Sequence, residues 1–223
     1  MKTITAQKSF EEILEVLERT ERVYIVGCGT CATMCQTGGE AQVLQMKERL
    51  EQAGKIVTGW MVIPTACDDL TKEALGEQAE GINQAQGILV MACAFGVQTV
   101  VSWTDKPVCP ALNTLFIGKE DVPYQFSEVC IQCGECILGW TAGICPVTSC
   151  TKGLLNGPCG GTKKGGKCEI DKEKDCAWVL IYQRLESQDR LDLMRKYKRP
   201  KDYRVVKRPG RIKLSEDLLK RSF

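Results

Sequence analysis

The sequence predicts an α/β fold: a small, mainly parallel sheet with covering helices, followed by a loop-rich cysteine domain that holds metal and then an extended basic tail. Three observations carry that expectation. Short apolar runs rich in branched residues alternate with amphipathic helical stretches over residues 1–120. Eight cysteines (Cys130, Cys133, Cys136, Cys145, Cys150, Cys159, Cys168 and Cys176) crowd the next part of the chain, which is expected to span 121–198. Residues 190–223 hold thirteen Lys or Arg against four Asp or Glu, although the formal net charge of all 223 residues is only +2.

Taken in order, Ser9-Phe10-Glu11-Glu12 has the form of a capping box, and Phe10, Ile13, Leu14 and Leu17 follow at helical spacing, so the chain is expected to begin with a helix. Val23 to Val26 reads as a strand that runs into the cysteine-bearing loop Gly27 to Gly39. Glu40 to Ala53 is a helix with Val43, Met46 and Leu50 on one face, stopped by Gly54. The unit repeats: Lys55 to Ile63 is a strand, Pro64 to Asp69 its loop, and Thr71 to Gln86 one helix with Leu75, Ala79 and Ile82 inward. Ile88 to Ala92 gives a third strand that meets Cys93, residues 96–103 a short helix, and Leu115 to Ile117 a closing strand of the sheet. Residues 119–127, charged and interrupted by Pro123, read as the interdomain linker.

In open α/β sheets ligands sit beyond the carboxyl ends of the strands. Cys28, Cys31, Cys35, Cys67 and Cys93 all fall just after predicted strands, so separate loops converge on one rim with more thiols than a four-ligand site needs. Cys28 is the expected bystander, and Cys109 is expected to pack rather than ligate. The glycines flanking Cys28 do not complete a dinucleotide fingerprint, and there is no P-loop.

In the second part, Cys130-Ile-Gln-Cys133-Gly-Glu-Cys136 has the two-residue gaps that let one loop aim three thiolates at an iron-sulfur cluster, and Cys145-Pro146 follows with a longer gap than a bacterial ferredoxin uses. Cys145, Cys150, Cys159, Cys168 and Cys176 must supply the missing ligand and could build a further four-thiolate site, without individual assignment. Asn156 to Gly161 and Gly165 to Cys168 read as loops shaped around metal, and Cys176 to Leu185 as a helix with Trp178, Ile181 and Leu185 on one face. Zinc on all-cysteine sites is the alternative metal, and a mixed protein stays open. Disulfides are disfavoured, because residues 1–20 have the charges of Lys2, Lys8, Glu11 and Glu12 instead of a secretory leader.

Composition narrows the chemistry further. The chain has no histidine, which excludes Ser-His and Cys-His nucleophiles and imidazole acid-base work. No apolar run approaches the roughly 20 residues a membrane span needs, and no lipidation signal stands out, so the expected home is the cytoplasm. The tail, 199–223, alternates Arg204, Lys207, Arg208 and Arg211 with Val205, Val206 and Ile212, and reads as an arm that orders on a partner.

Cys130-x-x-Cys133-Gly-x-Cys136, Gly143-Ile144-Cys145-Pro146, Leu154-Leu155-Asn156-Gly157-Pro158-Cys159-Gly160-Gly161, Cys168-Glu169 and Cys176-Ala177-Trp178 together resemble the methylenetetrahydrofolate reductase C-terminal domain family. Gly27-Cys28-Gly29-Thr30-Cys31-Ala32-Thr33 and Pro110 to Phe116 are similar to the same family's small subunit. The resemblance implies an iron-sulfur electron-transfer subunit with at least two [4Fe-4S] clusters, as in acetogenic and related anaerobic bacteria. Its expected partner is a flavin-bearing catalytic subunit that reduces methylenetetrahydrofolate, with ferredoxin or further donor subunits upstream and no nucleic acid or membrane. The catalytic barrel is absent, since about 250 residues would be needed for it, so this chain is expected to bind neither flavin nor folate itself. An electron-transfer subunit of a hydrogenase or heterodisulfide reductase type complex, and a zinc-bound interaction module, are the competing readings.

Overall fold

The computed structural model describes residues 2–211, and the chain divides into two units, Met1–Glu128 and Val129–Phe223. The first element is a strand, not a helix: β1 (Lys2–Gln7) precedes α1 (Phe10–Val16). Ser9 caps α1 as expected, its hydroxyl accepting the Glu12 backbone N–H at 3.1 Å, and the helix buries Ile13 with Leu17 just beyond its end.

The parallel sheet follows. β2 (Arg22–Cys28) leads through α2 (Cys31–Met34) and α3 (Glu40–Gln52) to β3 (Ile56–Ile63). Next come α4 (Thr71–Glu77), α5 (Ala79–Gln84), β4 (Gly87–Met91), α6 (Ala94–Val101) and β5 (Val108–Pro110). The strand order is β3-β2-β4-β5, every pair parallel. Val23 to Val26 and Ile88 to Met91 are buried in unbroken succession, so side chains on both faces of these central strands are covered. The chain leaves β2 toward β3 on one side and returns to β4 on the other, which makes the carboxyl ends of β2 and β4 the switch point of the sheet.

Several expectations need correction. The stretch Thr71 to Gln86 is two helices that meet at Gln78, and Ala79 is exposed while Leu75 and Ile82 are buried. The closing strand of the parallel sheet is β5, around Cys109. Leu115 to Ile117 instead belongs to β6 (Leu112–Val122), which pairs antiparallel with β1 and with β7 (Gln125–Ser127) in a separate sheet. The expected linker is therefore a hairpin of the first unit, turning at Pro123-Tyr124, where Tyr124 adopts φ 65°.

The second unit has little regular structure: α7 (Pro146–Ser149), α8 (Ala177–Ser187) and short 3-10 turns. Its cluster of buried residues is Ala142, Trp178, Ile181 and Leu185. The helical face expected of Trp178, Ile181 and Leu185 is the buried one. Of the tail, residues 199–211 are described and 212–223 lie outside the described residues. The described part folds back on its own unit: the Asp202 N–H reaches Glu135 Oε2 at 3.0 Å, Lys201 Nζ meets the Glu135 carbonyl, and Val205 and Val206 lie over Gly134. This stretch contacts the chain's own cysteine loop.

Candidate metal centres

All fourteen cysteines are free thiols. In the first unit the loop after β2 is built by close backbone approaches. The Cys28 N–H donates to the Gly38 carbonyl at 2.9 Å and the Gly29 N–H to the Ile63 carbonyl at 2.8 Å. A Cβ on Gly38 would fall 1.9 Å from the Met91 carbonyl oxygen, so only glycine lets this loop cross the end of β4. Strand β1 pins the same loop from outside, through Thr5 Oγ1 and Thr37 Oγ1 at 2.7 Å and Gln7 Nε2 donating to the Thr37 carbonyl at 3.0 Å.

That scaffold sorts the five rim cysteines. The Cys67 thiol is pushed up by partial desolvation and then by the negative charge its neighbours Cys93, Cys28 and Cys31 would carry, so these three lie within electrostatic reach of Cys67. Cys35 is drawn toward β1, its sulfur 3.8 Å from the Thr3 carbonyl. Cys28, the expected bystander, lies at the end of β2 within electrostatic reach of Cys67, and Cys35 follows Cys31 by one helical turn, its N–H donating to the Cys31 carbonyl at 2.9 Å. Cys93 is the N-cap of α6, and the Ala94 N–H is held by Thr114 Oγ1 at 2.8 Å. Cys109 is buried within β5, and desolvation raises its thiol above the ordinary range. Four soft sulfur donors from three strand-end loops suit zinc or an iron-sulfur cluster and suit no hard cation.

In the second unit the Cys130–Cys136 loop turns through two left-handed residues, Gln132 (φ 52°) and Gly134 (φ 80°). The Gln132 N–H points at the Cys130 sulfur, 3.4 Å away, and Cys133 Sγ lies 3.6 Å from the Glu135 carbonyl. Thr148, three residues after Cys145, donates to the Val129 carbonyl at 3.0 Å, bringing the Cys145-Pro146 turn beside the start of the loop.

The remaining cysteines make a separate group. Cys150, Cys159, Cys168 and Cys176 line one hollow of about 20 Å³ together with Thr151, Thr162 and Trp178. Hydrogen-bond donors aim at the sulfurs: the Gly161 N–H at Cys159 (3.4 Å) and the Thr162 hydroxyl at Cys176 (3.4 Å). Cys168 is lowered below the ordinary thiol range by the backbone N–H of Asp171, then that of Ile170, and by the Thr151 hydroxyl. Glu169 pairs with Lys152 and lies 3.3 Å from the Cys159 sulfur. The sulfurs share a cavity without closing on a point; among the described residues no three Cys, Asp or Glu side chains stand in ligating geometry.

Sequence reasoning missed the strand that pins the Cys28 to Gly39 loop and the chain segment that covers the Cys130 to Cys136 loop. Thr3-Ile4-Thr5 offered a β-branched signal for the first. Nothing in residues 199–206 announces the second.

No curated protein and no solved structure matches this chain. Residues 109–204 match the family described as Methylene-tetrahydrofolate reductase C terminal, a span that includes the last part of the first unit and all eight cysteines from Cys130 to Cys176. It is the family that the motifs of the second unit resemble. Over residues 109–204, this chain is similar to the methylene-tetrahydrofolate reductase C-terminal family.

Proposed function

We propose that this chain is the iron-sulfur electron-transfer subunit of a methylenetetrahydrofolate reductase, handing electrons to the flavin of a separate catalytic subunit. The observation that carries the reading is that Cys28, Cys31, Cys67 and Cys93 follow the carboxyl ends of three neighbouring parallel strands in the first unit, while the second unit has the ferredoxin-like Cys130-x-x-Cys133-x-x-Cys136 loop. The family match over 109–204 supports the oxidoreductase setting. Such clusters, when bound, supply one-electron transfer.

The chain's own residues do the rest. Gly29 and Gly38 hold the β2 loop close enough for its thiols to face those of the β3 and β4 loops. In the second unit, Cys145 is the ligand that would complete the Cys130, Cys133 and Cys136 set. Val205 and Val206 shield the backbone of that loop at Gly134, and a drier surround shifts the potential of a redox centre. The division of labour leaves flavin, folate and hydride chemistry to the partner, and the cytoplasm is where we place the complex. Among the described residues no helix is long and apolar enough to cross a membrane.

Reconstitution with the flavin-bearing subunit tests this. Adding the full-length chain should restore flavin reduction by a low-potential donor such as ferredoxin. Cys133→Ser should abolish that transfer while the partner's flavin still accepts electrons from an artificial reductant. Transfer at the original rate through the Cys133→Ser chain, or tight flavin binding by this chain alone, would overturn the assignment.

A further inference from the structure

We infer that the basic face made by Arg190 and residues 195–199 over the Leu138–Trp140 turn is the docking surface for an acidic protein electron carrier. The inference rests on the electron-transfer reading above and adds where electrons enter. Charge locates the face. Met1–Glu128 holds ten Lys or Arg against seventeen Asp or Glu, a balance of −7, and Val129–Phe223 holds twenty against eleven, a balance of +9. Residues 129–189 carry seven of each sign, so the whole excess of the second unit begins at Arg190.

The first part of that stretch is folded onto one turn. Arg190 Nη2 donates to the Gly139 carbonyl at 3.3 Å, and the Lys196 and Lys198 ammonium groups lie 5.5 Å and 2.8 Å from the centre of the Trp140 ring. Asn156 fixes the backbone of Lys198 twice, its Nδ2 donating to the Lys198 carbonyl at 2.8 Å and its Oδ1 accepting the Lys198 N–H at 2.7 Å. In the run Arg195-Lys196-Tyr197-Lys198-Arg199 the tyrosine is 75% exposed, and Trp140 is 40% exposed. Loss of water, and then the charge of Lys196, hold the Lys198 ammonium below the ordinary lysine range. Two like charges are thus kept side by side, and an incoming carboxylate relieves their repulsion.

Position selects a redox partner. Trp140 follows Cys136, a proposed cluster ligand, by four residues, and four residues span at most about 14 Å. A carrier seated here stands close to that site. Weak redox encounters bury little area and gain rate from complementary charge, which suits a face of cations with two exposed aromatic rings. Two carboxylates on the same face disfavour a nucleic-acid backbone, since Asp192 reaches Lys196 at 3.5 Å and Glu135 reaches Arg199 at 3.9 Å. A second copy presenting its acidic first unit would make a head-to-tail contact, which runs on into open filaments unless a rotation closes it. A separate acidic carrier needs no closure.

The test is the rate at which the full-length chain, made without oxygen, is reduced by an acidic ferredoxin and, separately, by reduced methyl viologen. Joint replacement Lys196→Glu and Lys198→Glu should lower kcat/KM for ferredoxin about tenfold or more and should not slow the cationic viologen. Lys163→Glu with Lys164→Glu, in the charge-balanced part of the unit, should leave the ferredoxin rate nearly unchanged. Because the first variant could fail to fold, the natural chain gives a second readout: its ferredoxin rate should fall as ionic strength rises past about 0.1 M, where screening acts within about 10 Å. An unchanged ferredoxin rate in the Lys196 and Lys198 variant, or a natural chain whose rate ignores salt, overturns the surface. Loss of binding to the flavin-bearing subunit, to a second copy or to single-stranded RNA in that variant, with its ferredoxin rate intact, names another occupant and also overturns it. A natural chain that viologen reduces and ferredoxin does not refutes the surface and leaves the electron-transfer reading standing. A chain that neither reduces refutes both.

Discussion

The two units differ in what holds them together. Met1–Glu128 encloses a core in which Ile13, Leu17, Leu50 and the central strands β2 and β4 are almost wholly buried, and its proposed site is a rim feature set upon that core. In Val129–Phe223 the buried cluster is Ala142, Trp178, Ile181 and Leu185, with Cys150 and Cys176 packed against it. The first unit has an apolar core that closes without ligation. The other has too little apolar interior to order its loops without ligation, as in small metal-dependent domains.

Removing metal should separate the units most sharply. Where the unfolded chain has no preformed site, the free energy of metal binding is free energy of folding. A chelator should therefore abolish hydrogen-exchange protection across 129–198 while β2, β3 and β4 keep theirs. Equal loss in both units would mean that the first also depends on metal. Core truncation gives the next effect. Leu50→Ala should cost the first unit about 2–5 kcal/mol whether or not metal is bound, whereas Trp178→Ala should cost the loaded second unit about 3–5 kcal/mol and change nothing after chelation. Denaturant titration with and without chelator reads both.

A smaller effect concerns the segment over the Cys130 loop. Gly134 lies at φ 80°, and a Cβ there would sit 2.6 Å from a Val206 methyl and 2.7 Å from one of Val205. Gly134→Ala should cost about 1–2 kcal/mol from the left-handed backbone alone and dislodge residues 201–206. Faster proteolysis at Arg204 and faster bleaching in air are the expected signs; unchanged rates would show that the segment does not cover the loop.

The smallest concerns Cys109. Burial raises its thiol, so the folded state holds this proton more tightly than the unfolded chain does. The resulting stability is fully present below the unfolded thiol's pKa and is lost as pH rises through the raised folded value. Alkylation of the metal-free chain should reach Cys109 last and need a pH above the ordinary thiol range. Early labelling at neutral pH would contradict its place in β5.

The first unit was largely legible because its periodicities are those of packed elements. Val43, Met46 and Leu50 on α3 and the run Val23 to Val26 in β2 are buried as their spacing requires. What escaped was pairing. Leu115 to Ile117 reads as a strand, but which sheet it joins depends on β1, whose Thr3-Ile4-Thr5 is too short to reveal its partner. The rim thiols were legible as a group because each follows a strand, whereas the contact of Cys35 with β1 was not. The second unit was legible only as cysteine spacing. Its grouping of Cys150, Cys159, Cys168 and Cys176 arises from turns at Gly153, Gly157, Gly160 and Gly165, all at positive φ, whose directions no hydrophobic pattern encodes.

The central claim, that these thiols hold redox-active iron, is met most directly by iron and labile-sulfide analysis of the full-length chain isolated without oxygen, with its visible spectrum recorded before and after reduction. The account predicts about 8 irons and about 8 sulfides per chain, from two four-iron clusters on thiolate ligands, and a broad absorption that bleaches on reduction. A colourless chain with zinc and almost no iron would contradict it.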